Sequence, residues 1–244
     1  SQAARWLDAG RIVGLVGGDH STPYGLIRAL GARHAEFGIL HIDAHCDLRD
    51  AYEGFEFSHA SIMFNVLRDV PQAERIVEVG VRDYCDAEAE LARSSERIRM
   101  FDDTQLSAAA FEGETWGATC RRIVAELPER VYVSFDIDGL TPQYCPHTGT
   151  PVPGGLTFDE AVYLLSRVVA SGRRIVPVFV EGELSDFFYR LSNFRTKIGI
   201  RFNIEMLYLA DEMFRQAGSD FEIIIGRPIP SASLLEGRTP GQAA

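Results

Sequence analysis

Short, almost continuously apolar runs alternate along the chain with stretches whose apolar residues recur at helical spacing. Apolar runs of this length are typical of strands that are buried on both faces of a sheet. The predicted strands are Arg11–Val16, Phe37–Ile42, Ile76–Val81, Val131–Phe135 and Ile175–Val180. The predicted helices are Tyr24–Leu30, Trp116–Leu127 and Phe158–Ala170, the last preceded by Thr157 in a capping box with Glu160. This alternation predicts an α/β fold of three layers, in which helices cover both faces of a central, mostly parallel sheet.

Composition limits the classes of binding partner and the cellular compartment that we expect for this protein. The 244 residues carry a formal charge of -11, which disfavours nucleic acid and anionic membranes as partners and suits a site that collects cations. The sequence contains no run of 18 apolar residues, so it predicts no membrane-spanning helix. The four cysteines lie far apart without a C-x-x-C pair, so we expect a reducing, cytoplasmic location.

Histidine and aspartate gather where two of the predicted strands end. His20 follows Gly17 and Gly18 after the first predicted strand, although a single histidine in this position is more often a packing or capping residue. Asp43, His45 and Asp47 follow the second strand with a spacing of two residues, which turns all three side chains to one face of an extended segment. Two carboxylates and an imidazole on one face indicate a cation between them.

A third acidic pair follows the fourth predicted strand, where Asp136 and Asp138 again share a face. Together the three clusters offer two imidazoles and four carboxylates, more than one tetrahedral ion requires. Such a set predicts two metal ions about 3.5–4 Å apart, which can share a water as a bridging hydroxide that attacks an sp² carbon. The oxygen-rich donors favour Mn²⁺, with Fe²⁺, Co²⁺ and Zn²⁺ as alternatives.

These three segments, Gly17–Ser21, Asp43–Asp47 and Ser134–Leu140, resemble the three signatures of the ureohydrolases, the family of arginase and agmatinase, in order and spacing. The resemblance covers about residues 1–174 and implies an arginase-like fold and a manganese enzyme with two ions per chain that cleaves a guanidino C–N bond. It further implies that His59 contacts substrate or moves protons, and that Asp47 is catalytic as well as a ligand. The metal ligands that it implies are His20, Asp43, His45, Asp47, Asp136 and Asp138.

Within that family the loop Leu48–His59 is most similar to agmatinase. Its Asp50, Glu53 and Glu56 would suit the free amine of agmatine, which would yield putrescine and urea. Arginine, guanidinobutyrate and formimidoylglutamate are alternative substrates, and a module that binds metal without turnover is an alternative function. The resemblance implies a small guanidino compound as partner and a homo-oligomer, a trimer or hexamer.

Three departures from the family pattern stand out. Thr141 replaces the aspartate that usually follows the third signature, and only 16 residues precede Gly17, so the N-terminus is expected to be short. The third departure is the segment of about residues 176–230, which resembles the C-terminal part of bacterial lysophospholipid acyltransferases. The chain is therefore expected to divide into a ureohydrolase-like region, 1–174, and an atypical segment, 175–244, with an amphipathic helix over 204–215; an acyltransferase fragment is a minor alternative. The guanidinium-binding glutamate of the family lies in the replaced segment. Glu181 and Glu183, which share one face of a strand, could take its place, and we assign that role to Glu181.

Overall fold

Four parallel strands form the sheet that carries the candidate site. The computed structural model describes residues 2–11, 13–15, 19–146 and 148–172, and the backbone of residues 178–180 and 223–225. The strands of the parallel sheet are β1 (Phe37–Ile42), β2 (Ala73–Val79), β3 (Ile98–Phe101) and β4 (Val131–Phe135). Their order across the sheet is β3-β2-β1-β4, with every neighbouring pair parallel. The predicted parallel sheet is thereby confirmed, and β1 lies at its centre, flanked by β2 and β4.

Helices connect these strands and cover both faces. They are α1 (Gln2–Asp8), α2 (Tyr24–Gly31), α3 (Ile62–Asp69), α4 (Asp86–Ser94), α5 (Asp103–Phe111), α6 (Trp116–Ala125) and α7 (Phe158–Ala170). Two 3-10 turns, His59–Ser61 and Ile137–Gly139, precede α3 and follow β4. The helix predicted over 158–170 begins and ends at the expected residues. Thr157 and Glu160 form the capping box that fixes its start.

The apolar residues of the sheet divide between two cores, as alternation along a strand requires. Ile39 of β1 and Ile76 of β2 pack on one face with Ile27 of α2 and Met63 of α3. Leu40 and Val77, their sequence neighbours, belong to a second buried cluster that includes residues of α6 and α7. The helices therefore enclose the sheet from both sides, and its carboxyl edge is left for function.

Two predicted strands differ from the structure. Residues 13–15 of the predicted first strand are not in a strand, and the run contains Gly14, which weakens strand formation. Residues 178–180 form β5 (Val178–Val180), which pairs antiparallel with β6 (Ile223–Ile225). Glu181 and the helix predicted over 204–215 lie outside the described residues. None of the described helices has the length and hydropathy of a membrane span.

Candidate metal centre

The candidate site lies where the neighbouring strands β1 and β4 end at the same edge of the sheet, the edge at which parallel α/β proteins bind ligands. Asp43 directly follows β1, and Asp136 directly follows β4. The two segments are tied together: the amide of Asp136 donates to the carbonyl of Ile42 at 2.9 Å, and the amide of Ala44 donates to Oδ1 of Asp138 at 3.1 Å. The pairing of β1 with β4 thus brings Asp43, Asp136 and Asp138 to one place.

Gly139 allows this close approach. A Cβ at this position would lie 2.9 Å from the amide nitrogen of Asp43 and 3.1 Å from the carbonyl carbon of Ile42. Both neighbours are backbone atoms that cannot swing aside as a side chain would. The turn after β4 therefore requires glycine in order to lie against the segment after β1.

His20 faces the first group of acids from the segment before α2. Its Nδ1 lies 2.7 Å from Oδ2 of Asp43 and 2.9 Å from Oδ2 of Asp47. Oδ2 of Asp136 lies farther away, at 3.7 Å. On the other side of the ring, Nε2 lies 2.8 Å from the hydroxyl of Ser134, which orients the imidazole toward the acids.

Asp43 also belongs to a second group. Its Oδ1 lies 3.2 Å from Nδ1 of His45 and accepts the His45 amide at 2.7 Å. The same Nδ1 is 3.4 Å from Oδ2 of Asp138. Two sets of candidate ligands result: His20, His41, Asp43 and Asp47 in one, and Asp43, His45 and Asp138 in the other, with the donor atoms of each set within 4.8 Å of one another. Asp43 is common to both, one oxygen toward each.

The charges of this site depend on one another. Burial lowers the pKa of His20, but the carboxylates of Asp43 and Asp47 outweigh it and raise that pKa to about 11. His45 follows the same pattern beside Asp138 and Asp43, with a pKa of about 10. Burial and the nearby charges of Asp43 and Asp138 raise the pKa of Asp136 to about 6. The carboxylates therefore need positive charge beside them, which protons on the histidines supply in the metal-free protein.

The residues present fit a divalent cation. Nδ1 of His20 and Oδ2 of Asp47 are buried and close together, yet neither has a partner in hydrogen-bond geometry among the described residues. Buried polar atoms that converge without bonding one another are expected where an ion completes the site. Asp47 also has φ of 54°, a left-handed conformation that is costly for a residue other than glycine and is concentrated at functional sites.

Arg82 holds the segment that carries Asp138, a role that the sequence analysis missed. Its guanidinium donates to the carbonyl oxygens of Gly80 (2.9 Å), Asp138 (2.7 Å), Leu140 (3.2 Å) and Val152 (3.0 Å). Since arginine presents five donors in a rigid fork, one side chain joins the end of β2 to the segment after β4. The sequence signal that could have identified Arg82 was its position three residues after the buried strand β2.

His41 is the other residue that the sequence analysis missed. It is completely buried in β1, and its Nε2 lies 3.0 Å from Oδ2 of Asp43. The signal was its position two residues before Asp43, which places both residues on the same face of the chain. The apolar pattern around it identified a strand and concealed the polar residue within.

The remaining predicted residues lie apart from the two ligand sets. His59 begins the 3-10 turn before α3; its side chain is exposed and its ring stacks edge-on against Tyr52 at 5.4 Å between centroids. Glu56 pairs with Arg68 at 2.6 Å, so its charge is already offset. Among the described residues, His59 has no hydrogen bond or ion pair with the clustered carboxylates.

Comparison with known proteins is consistent with this arrangement. The arginase family profile matches residues 1–181, and an acyltransferase profile matches residues 154–239, which confirms both predicted resemblances. N(1)-aminopropylagmatine ureohydrolase of Thermus thermophilus is 34% identical over 180 residues, 74% of this chain and 58% of that protein. Agmatinase of Neisseria meningitidis is 30% identical over 216 residues, 86% of this chain and 63% of that protein.

A solved structure extends the likeness to the fold. Arginase from Bacillus cereus matches with a TM-score of 0.60 and 26% identity, over 70% of this chain and 62% of that one. The chain thus spans somewhat more than half the length of the Thermus protein, 58%, and a similar share of the arginase.

Proposed function

The chain belongs to the arginase family, and on that premise we propose that it is a binuclear manganese amidinohydrolase that cleaves a guanidino C–N bond. The observation that carries this proposal is the position of Asp43, whose two carboxylate oxygens face two separate sets of donors. Asp43 would help to hold two divalent ions, which when bound would supply an activated water for hydrolysis. The mixture of imidazole and carboxylate donors suits Mn²⁺.

The chain's own residues would bind and orient the substrate. Two bound divalent ions would supply an activated water and polarise the guanidino group; His20, Asp43, His45, Asp47, Asp136 and Asp138 would hold them. Water adds to the guanidino carbon, the bond from that carbon to the alkyl nitrogen breaks, and the products are urea and an amine. The departing nitrogen needs a proton, and His59, exposed on the turn before α3, is the residue we assign to deliver it.

Agmatine is the substrate that we favour. The loop from Arg49 to His59 displays carboxylates, and Glu53 lies at its tip in a left-handed conformation with φ of 50°. A carboxylate there suits the free amine of agmatine better than the carboxylate end of arginine or guanidinobutyrate. The names of the Thermus and Neisseria relatives point to the same class of substrate. Glu181 as the guanidinium-binding residue, a homo-oligomer and a cytoplasmic location stay predictions.

The test combines metal content with urea release from agmatine in one sample. After loading with Mn²⁺, we expect about two manganese ions per chain together with urea and putrescine in equal amounts. Two ions without urea from any guanidino compound would favour the alternative of a metal-binding module without turnover. Absence of bound metal would contradict the proposed function.

The acyltransferase match to residues 154–239 gives a second function to examine. The described part of that match contains α7, whose buried face packs on the sheet. Incubation with a long-chain acyl thioester and a lysophospholipid tests it directly, since acyl transfer would occur with or without Mn²⁺. We rank this function second because the matched residues contribute none of the clustered ligands.

A further inference from the structure

A buried glutamate lies behind the candidate metal centre, and the ligand sets do not use it. Glu78 in β2 has no exposed surface, and neither of its carboxylate oxygens has a hydrogen-bond partner among the described residues. A buried carboxylate whose oxygens accept no hydrogen bond destabilises the fold. Because Glu78 lowers the stability of the fold, its presence indicates a role in function.

The residue opposite Glu78 is His41. The two are in direct register across the parallel pair β1–β2, and Nδ1 of His41 lies 3.9 Å from Oε1 of Glu78. This separation is too long for a hydrogen bond but short enough for an electrostatic interaction between two buried side chains. Glu78 is therefore the group that the Nδ1 side of the ring faces.

The opposite side of the same ring faces Asp43. Nε2 of His41 donates to Oδ2 of Asp43 at 3.0 Å, and both residues are buried. The ring is further confined by His20, whose centroid lies 5.1 Å away at an interplanar angle of 47°. A line of three side chains thus leads from Glu78 in β2 through His41, near the end of β1, to Asp43, the acid shared by the two ligand sets.

We propose that Glu78 is a positioning residue for the metal centre. It holds the His41 ring, and through that ring it holds the Asp43 carboxylate with one oxygen toward each ligand set. This role presupposes the two-ion centre proposed above. Outer partners of this kind typically change metal affinity by about 10–100-fold although they never touch the ion.

The test measures Mn²⁺ affinity by chelator competition in the wild-type chain and in E78Q, with E74Q as the matched control. Glu74 lies on the same strand but is exposed, so the same substitution there leaves the centre unchanged. We expect E78Q to weaken Mn²⁺ binding about 10–100-fold and E74Q to bind as the wild type does. The metal-free E78Q protein is expected to melt no lower than wild type, because the substitution replaces a buried carboxylate whose oxygens accept no hydrogen bond among the described residues.

A double-mutant cycle shows whether Glu78 acts through His41. Glutamine at position 41 can still donate an N–H toward Asp43 but cannot pair with Glu78. The loss caused by E78Q should therefore shrink to within about twofold in the H41Q background, whereas an effect of bare charge would be equal in both backgrounds. The electron paramagnetic resonance spectrum of the Mn²⁺-loaded protein gives a second readout, since a displaced Asp43 changes the coupling between the two ions.

Each possible outcome of these measurements supports or contradicts the positioning role of Glu78 or the proposed function. Equal affinity of E78Q and wild type, or an equal loss in both backgrounds, would overturn the positioning role and leave the proposed function standing. Metal binding without urea release in the wild type would overturn the proposed function, and the affinities would still decide the role of Glu78. If E78Q does not fold, E78D takes its place: it keeps the charge but draws the carboxylate away from His41, so it should weaken Mn²⁺ binding relative to wild type, and equal affinity would overturn the positioning role. Absence of metal in the wild type would overturn both.

Discussion

The buried part of the site, which we call its floor, and the exposed loop from Arg49 to His59 are built in opposite ways. The floor consists of Asp43, Asp138 and their partners, which come from distant parts of the chain and are fixed by contacts between strands. The loop from Arg49 to His59 is mostly exposed: 70% of Phe55 and 57% of Phe57 are accessible to solvent. Its backbone closes on itself through a reciprocal pair of hydrogen bonds between Tyr52 and Phe55.

This difference separates two functions. A metal centre needs fixed geometry and low water access, which only long-range packing provides. Substrate choice needs side chains that solvent and ligand can reach, and exposed loops provide those. Substitutions in the floor should therefore act on metal binding and turnover together, whereas substitutions of the loop acids Glu53 and Glu56 should act on substrate affinity alone.

The largest effect is expected for Asp43→Asn. Because Asp43 contributes an oxygen to each ligand set, loss of its charge should remove both ions and lower urea release by at least about 10³-fold. Elemental analysis and urea release on the same sample measure this. The control Asp159→Asn changes an exposed acid in the first turn of α7 and should behave as the wild type. Retention of both ions in Asp43→Asn would remove the assignment of Asp43 as the shared ligand.

Gly139→Ala should have the next largest effect, because it disturbs the floor without changing any ligand side chain. The added Cβ would meet the backbone of Asp43 and Ile42 at 2.9 and 3.1 Å, so the two ligand segments must separate. We expect Mn²⁺ affinity to fall about 100-fold and stability to fall by about 1–3 kcal/mol, the usual range for overpacking. Chelator competition and thermal melting measure the two effects.

Gly25→Ala is the matched control for that variant. A Cβ there meets no atom within 4 Å, and the position lies inside α2, so the substitution should leave stability unchanged or raise it. If both alanine variants bound Mn²⁺ equally, the close approach at Gly139 would be irrelevant to the site.

The sequence predicted much of the floor because local signals mark it. The spacing of Asp43, His45 and Asp47 after an apolar run, and of Asp136 and Asp138 after another, identified residues that the structure brings together; their role as ligands stays a prediction. The geometric reason was incomplete, since Asp47 has φ of 54° and does not continue an extended segment. A turn, and not strand alternation alone, brings its carboxylate toward His20.

What the sequence did not reveal depends on register between strands. Glu78 faces His41 only because β1 pairs with β2 in one particular alignment, and no local pattern encodes that alignment. The short strand β3 was also missed, since Arg99 interrupts its apolar residues. Helix α5 was missed because three consecutive alanines, 108–110, obscure any apolar face.

The charge of the floor predicts a pH dependence that the loop should not share. The carboxylates raise the pKa of His20 to about 11 and that of His45 to about 10, so both imidazoles carry an extra proton at neutral pH in the metal-free protein. Ligation requires neutral imidazole, so Mn²⁺ binding should release these protons and tighten as pH rises. We expect up to about tenfold per pH unit for each proton released between pH 6 and 8, measured by titration calorimetry in buffers of different ionisation enthalpy. Affinity that is constant across this range would contradict the protonated floor.

A smaller effect is expected for Arg82→Lys, which keeps the charge but loses the fork that reaches four carbonyl oxygens. The segment carrying Asp138 should loosen, and turnover should fall about tenfold with a modest loss of Mn²⁺ affinity. The control Arg75→Lys removes an exposed contact to the carbonyl of Glu96 and should change neither quantity. Equal turnover of Arg82→Lys and wild type would show that the segment is held by its other contacts, such as that of Thr150 with Asp138.

The smallest effect distinguishes two acids within the loop itself. Glu53→Gln should raise KM for agmatine by about two- to fivefold, the value of an exposed charge pair of less than about 1 kcal/mol, with kcat and metal content unchanged. Glu56→Gln should change KM less, because Arg68 already offsets the charge of Glu56 at 2.6 Å. Steady-state kinetics with agmatine and with guanidinobutyrate, which lacks the amine, measure both variants. Only the KM for agmatine should change. A loss of metal from Glu53→Gln would break the separation between floor and loop, because an exposed acid would then be supporting the buried centre.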